Sequence, residues 1–170
     1  MSIMQAIYLG LGTNLGDRAA NLQAAVIGLA KELVITAVSP LYQTAPWGVT
    51  DQPDFINMCL AAETALSPIE LLTFIKDLEV EIGRLPSKRW GPRLIDIDLL
   101  FYANQILETE NLKIPHPELA ERAFVLCPLA DIAPNFVHPV LRQTIAALAA
   151  KVGDEGIRPF APKFSLEMNQ

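Results

Sequence analysis

The residues with the clearest capacity for chemistry lie in one run, Arg89-Trp90-Gly91-Pro92-Arg93-Leu94-Ile95-Asp96-Ile97-Asp98. In a strand, residues two apart share a face. Asp96 and Asp98 therefore project together with Cα atoms roughly 6.6 Å apart, while Ile95 and Ile97 enter the opposite face. Neighbouring carboxylates repel, and a divalent cation relieves the repulsion. Mg²⁺ favours one or two carboxylates completed by water and phosphate oxygens. An isolated Asp-x-Asp is more often the solvated edge of a strand. The residues just before it change that reading, because Arg84, Lys88, Arg89 and Arg93 crowd one short segment of a chain whose formal net charge is -6. Guanidinium forks take phosphate oxygens and follow charge developing on a transferred group. Gly91-Pro92 makes a defined turn, and Trp90 either stacks on a base or anchors the loop. The pattern is that of a metal and polyphosphate site serving phosphoryl transfer.

A second group suits a flat heterocycle. Phe55 and Asn57 share one strand face, and Thr44 lies near the end of the strand across the hairpin. An aromatic face offers stacking, and an Asn amide supplies both a donor and an acceptor to a ring edge. The same residues are equally at home as core and as a satisfied buried amide. Phe124 either closes the other side of the ring or is core. His116, between Pro115 and Pro117, is held extended or in a turn; it is a rigidly placed phosphate donor or a surface-turn residue. His138 reads as structural, and neither His has zinc-ligand spacing with the cysteines. No P-loop and no kinase catalytic-loop signature occurs. Gly10-Leu11-Gly12-Thr13-Asn14-Leu15-Gly16 is spaced Gly-x-Gly-x-x-x-Gly and reads as a tight turn that lets strand and helix pack.

Positioning these groups requires a scaffold, and the sequence patterns one. Ala6–Leu11 reads as a buried strand, and Asp17 caps a helix from Arg18 to about Leu33 with Leu22, Ala25, Val26, Leu29, Ala30 and Leu33 on its apolar face. Strands follow over Ile35–Thr44 and Phe55–Thr64, flanking the Pro46–Pro53 loop, which is long for a hairpin connection. Ser67-Pro68-Ile69-Glu70 opens a second helix with a capping box, and Gly83 stops it. Its apolar face is Ile69, Leu72, Ile75, Leu78 and Ile82. After the Arg84–Pro92 loop comes the strand Leu94–Tyr102. The order βαββαβ is the ferredoxin-like arrangement of the α+β class, an antiparallel sheet with helices on one face. Pro117–Ala123, Phe124–Ile132 and Gln143–Val152 are extra C-terminal helical segments punctuated by Pro115, Pro128, Pro134 and Pro139.

A chain of 170 residues with 51% hydrophobic content fits one domain. We assign it residues 1–160, with 161–170 as a loosely ordered tail; the chain after Gly153 is expected to be loosely held. Cys59 and Cys127 sit in apolar runs and read as core thiols of a reducing compartment. The N-terminus lacks the basic start of a signal peptide, and no apolar run reaches the roughly 18 residues of a membrane span. The expected location is the cytoplasm. Net negative charge argues against a nucleic-acid partner.

Together these motifs resemble the hydroxymethyldihydropterin pyrophosphokinases of folate biosynthesis. The resemblance rests on Gly10–Gly16, Tyr42-Gln43-Thr44, Asp51–Asn57, Glu79 with Gly83-Arg84, Arg89–Asp98, Pro115-His116 and Arg122-Ala123-Phe124. It implies transfer of pyrophosphate from ATP to a reduced pterin by direct in-line attack of the substrate hydroxyl on the β-phosphorus, with AMP leaving and no covalent enzyme intermediate. It further implies that Asp96 and Asp98 hold two Mg²⁺ ions and that Arg84 and Arg93 serve the transfer. Glu79, Arg89, Trp90, Arg93, His116 and Arg122 would face ATP. Thr44 and Asn57 would hydrogen-bond the pterin between the rings of Phe55 and Phe124. The expected partners are these two small molecules, and the expected state is a monomer. Ala45, Trp47 and Phe55 depart from the common bacterial pattern, though Phe55 still stacks; Asn111, Lys113 and Pro117 receive no role. The same sequence also admits two rival readings, a non-catalytic nucleotide- or pterin-binding module and a two-metal nucleotidyltransferase.

Overall fold

A computed structural model describes residues 3–46, 51–83 and 94–160. Strand β1 (Gln5–Thr13) leads into helix α1 (Arg18–Leu29), then β2 (Val34–Val38), β3 (Tyr42–Thr44), β4 (Phe55–Thr64), helix α2 (Pro68–Ile82) and β5 (Asp96–Tyr102). A two-stranded ribbon, β6 (Leu107–Glu108) with β7 (Lys113–Ile114), precedes a single 3-10 turn at Leu119–Glu121. Helices α3 (Ala123–Ile132) and α4 (Ile145–Val152) and strand β8 (Ile157–Pro159) complete the chain. The main sheet runs β5-β1-β4-β3-β8, with β2 also on β4. The run β5-β1-β4, continued by β2 and β3 on the far side of β4, is the strand order of the ferredoxin-like arrangement, and β8 extends it beyond β3.

The two helix starts follow their capping residues. Asp17 accepts a hydrogen bond from the Ala20 N–H, and Ser67 with Glu70 forms the reciprocal capping box. Gly83 ends α2 at a φ of 108°, a conformation that only glycine adopts without strain. Helix α1 ends at Leu29, four residues before the expected end near Leu33; Ala30 is exposed, and Leu33 joins the core from just beyond the helix. In α2 the buried positions are Leu71, Ile75, Leu78 and Glu79, whereas Ile69 is 53% exposed. The first turn of the helix therefore points Ile69 outward and starts its apolar stripe two residues later.

The single strand expected over Ile35–Thr44 is divided into β2 and β3 at Ser39-Pro40. Proline has no N–H for the ladder. Ser39 compensates from both its groups: its N–H reaches the Cys59 carbonyl at 2.9 Å and its Oγ accepts the Cys59 N–H at 2.9 Å.

Helices α1 and α2 cover one face of the sheet, burying Ile7, Leu9 and Leu11 of β1, Ile56, Met58 and Leu60 of β4, and Ile95, Ile97 and Leu99 against Leu22, Leu29, Leu71 and Ile75. The expectation of helices on one face alone is incomplete. Helices α3 and α4 pack on the opposite face over Cys59, Leu100 and Phe101, where Leu126, Leu129, Ile145 and Leu148 form a second core. A register shift between Tyr8 and Leu9 makes Leu100 an extra residue in β5, so Leu100 and Phe101 both enter that core. Pro128 lies inside α3 rather than at its end, removing one rung of its ladder. The chain after Gly153 is not loose throughout: β8 pairs with β3 from Thr44↔Ile157 to Tyr42↔Pro159. The tail assigned to 161–170 lies outside the described residues. Cys59 is buried as expected, but Cys127 is only half-buried. His138 is structural, its Nδ1 accepting the N–H groups of Val140 and Leu141. Among the described residues, no helix is long and apolar enough to cross a membrane.

Candidate active site

The second helical layer leaves part of its sheet face uncovered, and a cavity of about 230 Å³ opens there. Its floor can be built from the strand register. Asp96 on β5 stands opposite Gly12 on β1, and Gly12 stands opposite Asn57 on β4; one step along, Asp98, Gly10 and Cys59 form a parallel row. Neighbouring strands lie about 4.8 Å apart, so each acid row is separated from the β4 side chains by roughly 10 Å. Glycine fills the middle position of both rows. The strand expected over Ala6–Leu11 continues through Thr13, so Gly12 as well as Gly10 is a strand residue rather than part of a tight turn, and their missing side chains open a trough between the acids and the Phe55–Asn57 edge. A glycine in a strand interior often marks such a close approach. Only Gly16 occupies a turn conformation, at a φ of 65°.

At the acid end, Ile95 and Ile97 are buried on the far face, 0% and 2% exposed, which leaves Asp96 and Asp98 facing the cavity. The strand carrying them is held from two sides. Glu79 Oε2 accepts the Ile97 N–H at 2.8 Å, and Thr13 Oγ1 donates to the Leu94 carbonyl at 2.5 Å. Burial, then the charge of Asp96, pushes the Asp98 carboxyl up to about 7, against the opposing pull of Arg122 and Lys76. Such a pair favours a cation or a proton between its members. His116 Nε2 lies 3.9 Å from Asp98 Oδ2. Its Nδ1 accepts the Glu118 N–H at 3.2 Å, so the neutral ring carries its proton on Nε2, toward the acids. Burial, then Arg122, lowers the His116 pKa and favours that neutral form.

At the other end, Thr44 pairs with Phe55 across the β3–β4 ladder, and Asn57 Nδ2 donates to Thr44 Oγ1 at 2.9 Å. This bond orients the buried amide, and its oxygen lies on the Gly12 side. A Cβ at position 12 would stand 2.7 Å from Asn57 Oδ1. Gly12→Ala should therefore displace the amide and raise the KM of a ring substrate about tenfold, the equivalent of one neutral hydrogen bond. Steady-state kinetics with each substrate varied separately checks this; an unchanged ring-substrate KM would contradict it. Arg122, above the trough, pairs with Glu118 and stands 5.5 Å over the Phe124 ring.

The cavity thus brings together Thr44, Phe55, Asn57, Asp96, Asp98, Arg122 and Phe124, with His116 beside the acids. It does not bring in Glu79, which is 1% exposed and holds the β5 backbone from beneath, 3.5 Å from Lys76 Nζ. The expectation that Glu79 faces ATP is corrected accordingly: its helix places it beside Ile75 and Leu78 on the buried stripe. Arg84, Arg89, Trp90 and Arg93, with Lys88, lie outside the described residues. Of the long Pro46–Pro53 loop, positions 47–50 also lie outside them, but its far root is anchored. Asn14 Nδ2 donates to Gln52 Oε1 at 2.8 Å and to the Pro53 carbonyl at 2.9 Å, and Arg18 donates to the Asp54 carbonyl at 3.0 Å. Reading the sequence missed Gly10, Gly12, Glu118 and Glu121 as cavity residues. Alternation of Tyr8, Gly10 and Gly12 along one strand was the available signal for the glycines; the two glutamates gave none.

Comparison with known proteins gives a consistent result. The family model described as 7,8-dihydro-6-hydroxymethylpterin-pyrophosphokinase (HPPK) matches residues 8–134. The 2-amino-4-hydroxy-6-hydroxymethyldihydropteridine pyrophosphokinase of Aquifex aeolicus is 44% identical over 142 residues, covering 84% of this chain and 89% of that protein. The protein of the same description from Methylorubrum extorquens is 45% identical over 156 residues, 91% of this chain and 98% of its own. A longer relative, folic acid synthesis protein FOL1 of Dictyostelium discoideum, is 44% identical over 138 residues, and this match spans 21% of its length. Among solved structures, a Plasmodium falciparum HPPK-DHPS with pterin and p-hydrobenzoate superposes with a TM-score of 0.75 at 18% identity, over 94% of this chain and 45% of that one. At that identity the likeness speaks for the fold.

Proposed function

Since this chain belongs to the 7,8-dihydro-6-hydroxymethylpterin-pyrophosphokinase family, we propose that it transfers pyrophosphate from ATP to the hydroxymethyl group of 6-hydroxymethyl-7,8-dihydropterin, releasing AMP. The observation that carries this reading to the site is the trough floored by Gly10 and Gly12. It joins an acid pair to an aromatic and amide edge across roughly 10 Å, so a triphosphate at one end meets a flat acceptor at the other.

Asp96 and Asp98 are the residues that would hold Mg²⁺. Among the described residues no group of three or more His, Cys, Asp or Glu side chains could hold a metal ion. Two carboxylates completed by water and phosphate oxygens suit magnesium, whereas a closed transition-metal site needs more protein ligands. When bound, two such ions neutralise phosphate charge and orient the chain of phosphates for in-line displacement. Phe55 and Phe124 stack on the pterin, and the Thr44-oriented amide of Asn57 reads its edge. Together they aim the hydroxymethyl oxygen at the β-phosphorus, which makes a bimolecular reaction effectively intramolecular. Arg122 and the neutral His116 donate to the phosphates. Arg89 and Trp90 contact ATP, and Arg84 and Arg93 follow the charge that develops on the transferred group. Glu79 has a positioning role, setting β5 between the two aspartates.

The metal assignment has a pH signature. Magnesium takes the ionised carboxylate, so a proton competes with it below the Asp98 pKa of about 7. Titration calorimetry with a non-hydrolysable ATP analogue should show Mg²⁺ affinity falling up to about tenfold per pH unit below that value, with proton release on binding. Affinity that is flat between about pH 5.5 and 8 would contradict the assignment. Folding is linked with the opposite sign. A carboxyl whose folded pKa is raised takes up a proton on folding, so its contribution to metal-free stability declines as pH rises from about 4 to 7 and is constant above.

A further inference from the structure

We propose that Glu118 is a specificity-determining residue of this cavity, an internal anion that occupies Arg122 in the absence of ligand and that a metal-complexed polyphosphate displaces far more readily than a bare one. Among the described residues lining the cavity, Asp96, Asp98, Glu118 and Glu121 are acidic and Arg122 is the cation. On this described wall of the cavity the acids outnumber the cation, so a metal-free triphosphate is opposed here by like charge. Glu118 adds to that excess in a specific place, since its Oε2 accepts from Nη2 of Arg122.

The pair is built to exchange partners. The Glu118 and Arg122 side chains are 44% and 25% exposed, and a partly solvated ion pair four residues apart contributes modestly, so an incoming anion can replace the carboxylate. A phosphate offers the guanidinium the same charge-assisted bonds that the carboxylate does. When Glu118 lets go, Arg122 is still braced over the Phe124 ring, 5.5 Å from its centre. Glu118 itself does not leave, because its N–H is bonded to His116 Nδ1 at 3.2 Å, next to Asp98. The displaced carboxylate stays near the incoming phosphates, and cations on the neighbouring acid pair offset it.

This inference rests on the proposed placement of the triphosphate against Arg122. The experiment is equilibrium binding of a non-hydrolysable ATP analogue to wild type, E118Q and E118D, with Mg²⁺ and with EDTA. E118Q is expected to bind the metal-free analogue about 5- to 10-fold tighter than wild type, with a smaller change in Mg²⁺, so that metal dependence shrinks; E118D restores it. Metal-free binding by E118Q that is unchanged or weaker than wild type overturns the inference and makes Glu118 an anchor for Arg122. Thermal unfolding midpoints of the three proteins show that each is folded. Absence of analogue binding by wild type in Mg²⁺ would instead overturn the pyrophosphokinase reading itself, and the inference with it.

Discussion

Asp98→Ala is expected to lower kcat/KM by about 10³-fold or more while leaving the protein folded, the scale seen when a group that holds charge in a phosphoryl-transfer transition state is lost. The separation of activity from stability follows from the geometry. Asp98 contributes to no core, since Ile95 and Ile97 carry the packing of that strand on the other face. Its carboxyl is held next to Asp96 and desolvated, an arrangement that costs stability rather than adding to it. Removing it should leave the metal-free thermal midpoint unchanged or raised near neutral pH. Asp98→Asn separates shape from charge, because it keeps the volume and loses the anion. Turnover assays and thermal melts in EDTA on the same samples test this. Near-normal turnover in either variant would remove the metal assignment, and a collapsed midpoint would make Asp98 structural.

Asn57→Ala should act on the other substrate. The amide is 6% exposed, donates to Thr44, and presents its oxygen beside Gly12. A buried amide in a substrate pocket discriminates strongly, because losing it strands the polar groups on both sides. The expected loss in kcat/KM for the pterin is about 10²-fold or more, with the KM for ATP within about twofold of wild type. Asn57 is separated from the acid row by one strand, and so the two ends should respond independently. Equal losses for both substrates would mean that Asn57 supports the sheet rather than reads a ring.

Much of this arrangement is legible in the amino-acid sequence, and the reason is periodicity. The alternation Ile95-Asp96-Ile97-Asp98 assigns faces in a strand without reference to the rest of the chain. Ser67-Pro68-Ile69-Glu70 defines a helix start from local hydrogen bonding alone. Other features depend on what lies across the sheet. The close spacing of Gly10, Gly12 and Gly16 reads as a tight turn at the end of the first strand; the role of Gly10 and Gly12 appears only when Asp98 and Asp96 on one side and Cys59 and Asn57 on the other are in place. Periodicity shows that α3 has a buried stripe but not which face of the sheet receives it, so the second layer and the cavity it bounds were not foreseen. Glu79 was assigned to ATP by resemblance, although its position beside Ile75 and Leu78 puts it on the buried stripe, where it bonds to the Ile97 N–H. Strand β8 has three residues and ends in proline, too little pattern to stand out from a tail.

The central claim is that one trough aligns a metal-bound triphosphate with a pterin hydroxyl for attack at the β-phosphorus. The most direct measurement is to incubate the protein with Mg²⁺, ATP and 6-hydroxymethyl-7,8-dihydropterin and identify the nucleotide product chromatographically as the pterin is consumed. The account predicts AMP in equal amount to pterin diphosphate; ADP with a pterin monophosphate, or free pyrophosphate with an adenylylated pterin, would contradict it.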